Sequence, residues 1–516
     1  MLIYALILRV FILPFSVIHA DLPAPKGFLL SCGTQDNVEM NGLKYVPDHG
    51  FISIGNATST KKNTTEILPI LAKLRFFPDK STRKSCYTFS VIKGAKYLIR
   101  TTYYYGDFDG GTEPPIFDQI VDGTRWSVVD TTEDYAKGLA SYYELVVAAQ
   151  SKILSVCLAR NEQTRDDSSP FISSIEVMSL DDSIYKAVDF LKYGLSTVAR
   201  HTFGYSDADD VDASFISYPD DEFHRWWEPF KDSNPTVKCQ SNVTPSDFWN
   251  LPPSRALSSA ITTSRGKSLQ IQWPPISLPP SSYYVSLYFQ DNRNPSPYSW
   301  RVFNVSLNGD TFYARLNVTT SGVNVYAAQW PLSGQTVITL TPDTGIPVGP
   351  MINAAEMLQL LPLAGRTNAR DAMAMEDLDR TLINPPPDWN GDPCLPKQNS
   401  WTGVSCSNTK DFVRVSTLNL TGKGIAGSLS PSTGNLTGIV HLWLGNNKLK
   451  GPLPDMSSMK LLETLHLENN QFEGVIPESL AKLPRLREIY LQNNKFTGGV
   501  PNSLKNRQGL TIRITE

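Results

Sequence analysis

The sequence has almost no excess of charge of either sign. It contains 47 Lys and Arg residues against 50 Asp and Glu residues, which gives a formal net charge of -3 and a pI near 6.1. A chain that binds nucleic acid or an anionic membrane surface usually carries a basic excess. We therefore expect no nucleic acid and no lipid surface among its partners.

Long apolar runs are also scarce. Residues 1–20 form an apolar stretch that is interrupted by Arg9 and Pro14 and ends in Ile-His-Ala before Asp21. This pattern is typical of a secretory signal peptide. No later apolar run reaches the roughly 18 residues that a membrane-spanning helix needs. The sequence thus predicts a signal peptide at residues 1–20, a secreted, extracellular mature chain and no direct membrane span.

The motifs that accompany catalysis or metal binding are missing where their context would require them. There is no Gly-X-Ser-X-Gly, no HExxH, no phosphate loop and no Cys-X-X-Cys, and only six histidines occur in 516 residues. We expect no enzyme activity, no cofactor and no metal. Because acidic residues are plentiful, a glycosidase with paired carboxylates is the enzymatic alternative that stays open.

Cysteines are few, but their even number fits disulfides in a secreted chain. Cys394 and Cys406 lie twelve residues apart in one distinctive segment, and we predict that they pair. Cys32 and Cys86 both fall in the first domain, and we predict a second pair between them. The pairing of the other two cysteines stays open: Cys157 and Cys239.

Asn-X-Ser/Thr sequences, which accept N-linked glycans in secreted proteins, are frequent. Because the chain is rich in Asn, Ser and Thr, the number supports secretion only together with the signal peptide. Seven candidate glycosylation sites occur: Asn56, Asn63, Asn242, Asn304, Asn317, Asn419 and Asn435.

Residues 384–406 separate two kinds of sequence. Three prolines at 385–387 favour an extended spacer, and Trp389 and Trp401 alternate with the two cysteines that follow. A repeat array needs a cover over its first apolar face, because a terminal repeat lacks one neighbour. We therefore predict a disulfide-closed cap here, within a region of helix, Pro-rich linker and cap that spans residues 366–412.

The chain before this region is rich in β-branched and aromatic residues and shows an internal repeat. Such composition, with turn clusters between the runs, favours β-sandwiches. Three pairs of segments match in the same order and at nearly the same offset: residues 97–103 with 283–289, 121–123 with 307–309, and 170–180 with 350–360. The sequence predicts a mainly β fold with tandem sandwiches at residues 27–190 and 191–365.

Residues 413–516 carry a short-period repeat. Leu-X-Leu units recur every 23 or 24 residues, and each of the last three is followed by two asparagines and then by a Gly-X-X-Pro segment. This is the leucine-rich-repeat pattern. The second asparagine of each pair is expected to hydrogen-bond the backbone along the stack. A helix is predicted over residues 368–383, as a spacer that packs on the second sandwich or on the cap.

The repeat strands place alternate residues on one concave face. An aligned Trp, His and Tyr on an exposed strand face is typical of a partner-binding surface; the alternative is a solvated face with incidental aromatics. A glycan on Asn419 would lie at one end of this face. The predicted partner-binding residues are Trp443, His466, Glu468, Tyr490 and Gln492.

Residues 103–110, Tyr-Tyr-Tyr-Gly-Asp-Phe-Asp-Gly, suggest a second kind of site. Sugars stack on aromatic rings and hydrogen-bond to carboxylates, and this loop offers both. Its candidate carbohydrate-binding residues are Tyr104, Tyr105 and Asp107. The alternative is a strand end that packs its tyrosines into the core and is followed by an ordinary turn.

Several segments together resemble a known family. The tandem sandwiches resemble the plant malectin-like domain, and the whole chain resembles the ectodomain of plant malectin-like leucine-rich-repeat receptor kinases, without their transmembrane helix and kinase. The matching segments are residues 31–33, 83–87, 97–100, 105–110, 156–158, 170–173, 218–221, 389–394 and 401–406.

This resemblance implies two kinds of function. It implies a recognition protein of the plant apoplast or cell wall that binds a peptide, a cell-wall glycan or a receptor ectodomain. It also implies, from animal malectin, a lectin for glucose disaccharides with its site in the sandwiches. The concave repeat face serves the first function, and the loop at residues 103–110 serves the second.

Overall fold

The computed structural model describes residues 26–61, 67–111, 113–204, 215–239, 248–293, 300–409 and 412–514. Strands dominate these ranges and fall into three groups along the chain. The predicted signal peptide and the acceptors Asn63 and Asn242 lie outside the described residues.

The first group of strands forms a β-sandwich, called here the first sandwich. It also contains a short helix, α1 (Thr132–Ala136). Its strands are β1 (Gly27–Ser31), β2 (Val38–Met40), β3 (Leu43–Pro47), β4 (Asn56–Ser59), β5 (Lys73–Phe76), β6 (Ser85–Ser90), β7 (Lys96–Tyr103), β8 (Phe117–Val121), β9 (Thr124–Val129), β10 (Ser141–Ala148), β11 (Ile153–Arg160), β12 (Phe171–Ile172) and β13 (Ser174–Ser179).

The second group forms the second sandwich. Its strands are β14 (Tyr193–Phe203), β15 (Glu228–Phe230), β16 (Thr236–Lys238), β17 (Ser259–Thr262), β18 (Leu269–Gln272), β19 (Leu278–Phe289), β20 (Trp300–Leu307), β21 (Asp310–Thr319), β22 (Val323–Gly334), β23 (Val337–Pro342), β24 (Met351–Ile352) and β25 (Ala354–Pro362).

The third group is the leucine-rich-repeat domain with its cap. It contains helices α2 (Ala369–Thr381) and α3 (Asn502–Lys505). Its strands are β26 (Leu382–Ile383), β27 (Val404–Asn408), β28 (Val413–Asn419), β29 (Ala426–Gly427), β30 (His441–Trp443), β31 (Lys448–Gly451), β32 (Thr464–His466), β33 (Gln471–Val475), β34 (Glu488–Tyr490), β35 (Lys495–Thr497) and β36 (Thr511–Arg513).

The two sandwiches have the same topology. One sheet runs β1-β13-β7-β10 in the first and β14-β25-β19-β22 in the second, and the facing sheets run β6-β11-β8-β9 and β18-β23-β20-β21. The eight strands of these two sheets in one sandwich therefore have counterparts in the other, in the same order. This confirms the tandem arrangement that three short sequence matches predicted.

A single sheet joins the two sandwiches. β10 pairs with β14 antiparallel, through Leu145 opposite Ser196 and Val146 opposite Leu195, so that one eleven-stranded sheet crosses both units. One face of this sheet carries a core shared by the two units, with Leu98 from the first and Leu358 from the second. The sequence did not predict this shared sheet, because nothing local marks a strand pairing between domains.

Charged side chains are buried beside this junction. Arg100 on β7 lies opposite Glu144 on β10 and Glu176 on β13, and Arg200 on β14 lies opposite Glu356 on β25. Arg200 Nη1 also donates to Glu144 Oε1 at 2.7 Å. The carboxylate of Glu144 therefore links an arginine of each sandwich.

Helix α2 begins after Asn368, whose side-chain oxygen accepts from Arg370 N at 3.1 Å and caps the helix. The helix confirms the prediction over residues 368–383. Its buried side, which includes Met375 and Leu378, belongs to the repeat-domain core. The helix therefore packs on the repeat domain, while Met373 on its other side is 65% exposed.

The cap forms as predicted at the start of the repeats. Cys394 and Cys406 are joined by a disulfide, and the rings of Trp389 and Trp401 stack with centroids 5.3 Å apart. Both tryptophans are 2% exposed and belong to the repeat-domain core. They cover the apolar face that the first repeat would otherwise expose.

The other predicted disulfide is wrong. Cys86 pairs with Cys157, and Cys32 is a buried free thiol. Cys86 on β6 lies directly opposite Cys157 on the neighbouring strand β11, whereas Cys32 follows β1 in the other sheet. Membership of the same domain does not determine which cysteines form a disulfide. The two sulfurs come together because Cys86 and Cys157 lie on adjacent paired strands.

The cap also docks on the first sandwich. Lys84 Nζ, beside β6, donates to the carbonyl oxygens of Asp392 at 2.5 Å and Leu395 at 2.8 Å. Gly391 has a φ of +68°, and a Cβ on it would lie 3.2 Å from Cys86 Sγ. The disulfide between Cys86 and Cys157 is therefore part of the surface against which the cap packs.

Candidate functional site

The concave face of the repeat domain is built on a ladder of parallel strands. β28, β30, β32, β34 and β36 pair in order. The residues in register along the ladder point into the core: Leu418, Leu442, Leu465, Ile489 and Ile512. Side chains alternate along a strand, so that their neighbours on either side project to the concave face.

Paired asparagines hold this ladder at the end of each strand. Asn470 Nδ2 donates to the carbonyl oxygens of Leu444 at 2.9 Å and Leu467 at 3.2 Å, while its Oδ1 accepts from Leu449 N at 3.0 Å. The second asparagine of the neighbouring pairs makes the same set of contacts. The predicted asparagine ladder is confirmed. The first asparagine of each pair has a φ near +56°, which asparagine tolerates better than most residues: 57° at Asn446, 55° at Asn469 and 57° at Asn493.

Three aromatic side chains stack along the concave face and are called here the aromatic column: Trp443, His466 and Tyr490. The ring centroids are 5.6 Å apart between the first two and 4.4 Å apart between the last two, with interplanar angles of 17° and 11°. Each side chain is partly exposed. The sequence predicted that these residues share a face, but not that their rings stack.

The column is fixed and extended at both ends. Trp443 Nε1 donates to Thr464 Oγ1 at 2.7 Å, and the ring of His441 lies 5.2 Å from that of Trp443. At the other end, Arg513 Cζ lies 4.7 Å from the centroid of Tyr490, which is the geometry of a cation–π contact. A hydrogen bond with Glu488 is the main cause of the raised pKa of Tyr490.

Glu468 and Gln492 lie beside the aromatic column, as predicted. The carboxyl group of Glu468 lies over Gly445, where a Cβ would come within 2.2 Å of Oε1. Three polar side-chain atoms beside the aromatic column are buried without a hydrogen-bond partner among the described residues: Nε2 of His466, Oε2 of Glu468 and Oε1 of Gln492. Buried polar atoms normally have partners, so that this cluster is suited to a ligand.

The predicted carbohydrate-binding residues lie in a different environment. Tyr104 is 7% exposed and Tyr105 is 2% exposed. The ring of Tyr105 packs against Phe108 and Phe171, and Asp107 accepts from Tyr135 Oη at 2.6 Å. The two rings thus face protein, which is the core arrangement that the sequence also allowed.

A cavity of about 250 Å³ opens where the two sandwiches meet. Tyr142 Oη donates to Glu228 Oε1 at its rim. His201 Nδ1 accepts from Trp273 Nε1 at 3.1 Å, which leaves Nε2 as the protonated nitrogen, 3.7 Å from Glu228 Oε2. Burial lowers the pKa of His201 to about 4, and the ring is therefore neutral at physiological pH.

Sequence reasoning missed this cavity as a site. In the segment 218–229, which is rich in acidic and aromatic residues, Trp227 is 0% exposed and is part of the core. Its neighbour Trp226 lines the cavity. The cavity forms because the fold brings this segment next to β10 and β14, which are separated from it in the sequence. No local sequence pattern therefore marks the site.

The candidate glycosylation sites that the structure describes are all exposed: Asn56, Asn304, Asn317, Asn419 and Asn435. Asn419 ends β28, one strand before Trp443 in the ladder. A glycan there would therefore border the aromatic column at its Trp443 end. Within the described ranges, no helix is long and apolar enough to cross a membrane.

Two β-sandwiches with a common sheet, followed by a capped leucine-rich-repeat domain, define a receptor-ectodomain type of fold. The chain belongs to the malectin-like domain family, whose sequence profile matches residues 30–360. A leucine-rich-repeat profile matches residues 454–496. The resemblance seen in the sequence is thereby confirmed.

Related proteins are receptor-like kinases of Arabidopsis thaliana. A probable leucine-rich-repeat receptor-like serine/threonine-protein kinase is 29% identical over 495 residues, 88% of this chain and 49% of the relative. A receptor-like protein kinase is 30% identical over 454 residues, 84% of this chain and 48% of the relative. The chain thus spans about half the length of these curated relatives.

Solved structures share the fold. The extracellular domain of ANXUR1 from Arabidopsis thaliana superposes with a TM-score of 0.52 at 15% identity, covering 65% of this chain and 97% of that one. A complex of the plant peptide RALF23 with FER and LLG2 contains a chain that matches with a TM-score of 0.52 at 17% identity, covering 65% of this chain and 96% of that one. At such identity the likeness describes the fold alone.

Proposed function

We propose that this chain is an extracellular, non-enzymatic recognition protein whose concave repeat face binds a peptide or the ectodomain of a partner. The observation that carries the proposal is the aromatic column, three stacked and partly exposed rings on a regular strand ladder. Aromatic residues held rigid on a scaffold supply much contact area at little entropic cost, and they dominate many binding surfaces.

Other observations support the same function. The apolar residues 1–20, the two disulfides and the exposed acceptor asparagines fit an extracellular protein. The structural neighbour in the RALF23 complex is a peptide-bound assembly, which makes a peptide a reasonable class of ligand for this fold. We extend peptide binding to the repeat domain of this chain because the aromatic column lies there.

The test uses the secreted chain from Asp21 to Glu516, screened against a displayed library of random peptides. We expect enriched peptides that bind the wild type and lose at least about tenfold in affinity when Trp443 and Tyr490 are both changed to Ala. Trp249→Ala is the matched control, because Trp249 is 49% exposed on the second sandwich. Equal losses in control and test variants would contradict the proposed site.

A second candidate function is the binding of a short glycan by the sandwiches. The cavity at their junction favours it, since Tyr142, Trp226 and Glu228 bring aromatic rings and a carboxylate together. Its test is an array of glucose disaccharides and wall oligosaccharides probed with the same secreted chain. Binding that falls in Glu228→Gln and persists in the Trp443 and Tyr490 double variant would place the ligand in the cavity.

A further inference from the structure

The unpartnered polar atoms of the concave face form one compact group. His466 and Glu468 are two residues apart and therefore project from the same face. Gln492 is in the next repeat at the position equivalent to Glu468, because His466 pairs in register with Tyr490. The three unpartnered atoms are His466 Nε2, Glu468 Oε2 and Gln492 Oε1. His466 Nε2 is 3.6 Å from Glu488 Oε1, which is beyond hydrogen-bond distance.

The backbone makes room for the carboxyl group of Glu468. A Cβ on Gly445 would lie 2.2 Å from Glu468 Oε1 and 2.6 Å from its Cδ. The φ of Gly445 is not positive, so its backbone conformation does not require a glycine. The missing side chain of Gly445 therefore leaves room for the Glu468 carboxylate, which lies across the neighbouring strand beside Trp443.

The concave face carries more negative than positive charge. Its described positions include two carboxylates, Glu468 and Glu488, and one guanidinium, Arg513. Arg513 already lies over the ring of Tyr490. Among the described residues, Glu468 takes part in no ion pair with Lys, Arg or His, whereas Glu488 lies near His466.

We propose that Glu468, with Gln492 and His466, binds the guanidinium group of an arginine in the peptide that the concave face recognises. A guanidinium offers five N–H donors and no acceptor, which suits the two acceptor oxygens of Glu468 and Gln492 beside the imidazole ring of His466. Its flat face also stacks on aromatic rings, and Arg513 on Tyr490 shows this contact within the same column. The inference rests on the proposed function, because it names the chemistry of the ligand at that site.

The experiment compares two capped tripeptides on the full secreted chain. Acetyl-Gly-Arg-Gly-amide carries the guanidinium, and acetyl-Gly-citrulline-Gly-amide has nearly the same shape without the charge. Binding is followed by the indole N–H resonance of Trp443, assigned by its absence in Trp443→Phe. We expect saturable binding of the arginine peptide and at least about tenfold weaker binding of the citrulline peptide, as for the loss of a charged hydrogen bond.

Three variants distinguish an effect of the Glu468 carboxylate on binding from a general effect on folding. Glu468→Gln should weaken arginine binding by about tenfold or more. Gly445→Ala should weaken it as well, because the new Cβ displaces the Glu468 carboxyl group while its charge remains. Glu473→Gln is the matched control on β33, exposed and away from the concave positions, and it should bind as the wild type does.

The outcomes distinguish this inference from the function on which it rests. Equal binding of the two tripeptides, undiminished binding by Glu468→Gln, or no saturable shift would overturn the arginine site. If library peptides need Trp443 and Tyr490 but tolerate Glu468→Gln, the recognition face stands and only its arginine chemistry falls. If library peptides ignore Trp443 and Tyr490, the proposed function falls instead.

Discussion

Glu144 is the residue on which the charge balance of the sandwich junction depends. Its Oε2 accepts from Arg100 Nε at 2.9 Å, and its Oε1 accepts from Arg200 Nη1 at 2.7 Å. Burial alone would raise its pKa, but the guanidiniums of Arg200 and Arg100 outweigh burial and hold the pKa at about 2. Each arginine also pairs with a second carboxylate.

Glu144→Gln should lower the free energy of unfolding by about 3 kcal/mol at pH 7, because it leaves buried guanidinium charge without its shared partner. Urea unfolding of the secreted chain measures the loss. Asp189→Asn is the control, since its pair with Lys192 is exposed and should contribute at most about 1 kcal/mol.

The same substitution has a signature in pH. The pKa of Glu144 is about 2 in the folded chain and about 4.3 in an unfolded one. Its stabilising contribution is therefore present above about pH 4 and is lost as the pH falls towards 2. The difference between wild type and Glu144→Gln should shrink over that range, and a difference independent of pH would argue against the charge network.

The free thiols give a second prediction at this scale. Cys32 is fully buried, and burial raises the pKa of its thiol well above the ordinary value. Cys239 is partly exposed. Without reductant, a thiol reagent should label only Cys239 in the folded chain and both cysteines after unfolding. Peptide mapping should recover Cys86 joined to Cys157, and a peptide joining Cys32 to Cys86 would contradict the structure.

At the scale of elements, the repeat domain depends on its asparagine ladder. Asn470 is 8% exposed, and its side chain satisfies backbone groups of two consecutive repeats, its own and the one before it. Asn470→Ala should cost at least about 2 kcal/mol, because several buried backbone groups lose their partner at once. Hydrogen exchange of β30, β32 and β34 measures the loss. The control Asn502→Ala, at an exposed position, should change the free energy of opening of these strands by less than about 0.5 kcal/mol.

Elements with local patterns could be predicted from the sequence, and pairings between distant elements could not. The repeat strands, the helix after Asn368 and the cap around Cys394 follow from periodicity, capping and composition. The pairing of β10 with β14 and the cross-strand disulfide of Cys86 do not, because each depends on which strands become neighbours. The candidate site divides in the same way: the aromatic column was visible in the repeat, whereas the space over Gly445 was not.

At the scale of the whole molecule, the cap ties the repeat domain to the first sandwich. The turn between β8 and β9 contributes to this contact, since a Cβ on Gly123 would lie 2.8 Å from Leu395 Cβ. Burial raises the pKa of the adjacent Asp122 to about 6, and the charge of Asp392 in the cap adds to the effect. The carboxyl group thus titrates at the contact between the two domains.

Asp122→Asn should therefore change how stability depends on pH. Because the folded chain binds this proton more tightly than an unfolded chain with a pKa of about 3.9, the contribution is present below about pH 4 and is lost as the pH rises to 6. The amide retains an oxygen that can accept from Ser155 N, as Asp122 Oδ1 does at 2.8 Å, and Asn tolerates the φ of 45°. The variant should melt at a higher temperature than wild type above pH 6, with the gap closing towards pH 4; a constant gap would contradict this.

The shared sheet ends at β22, and this ending has a consequence for assembly. In the first sandwich the equivalent edge strand, β10, is closed by the next unit along the chain, while β22 is the last strand of the sheet. Its twelve residues include no charged side chain, which is the kind of edge that invites further pairing. Pro331, which has no N–H to donate, lies within this strand, and the pairing of β22 with β19 shifts register twice. These irregularities at the last strand protect the edge of the shared sheet against pairing with a further strand.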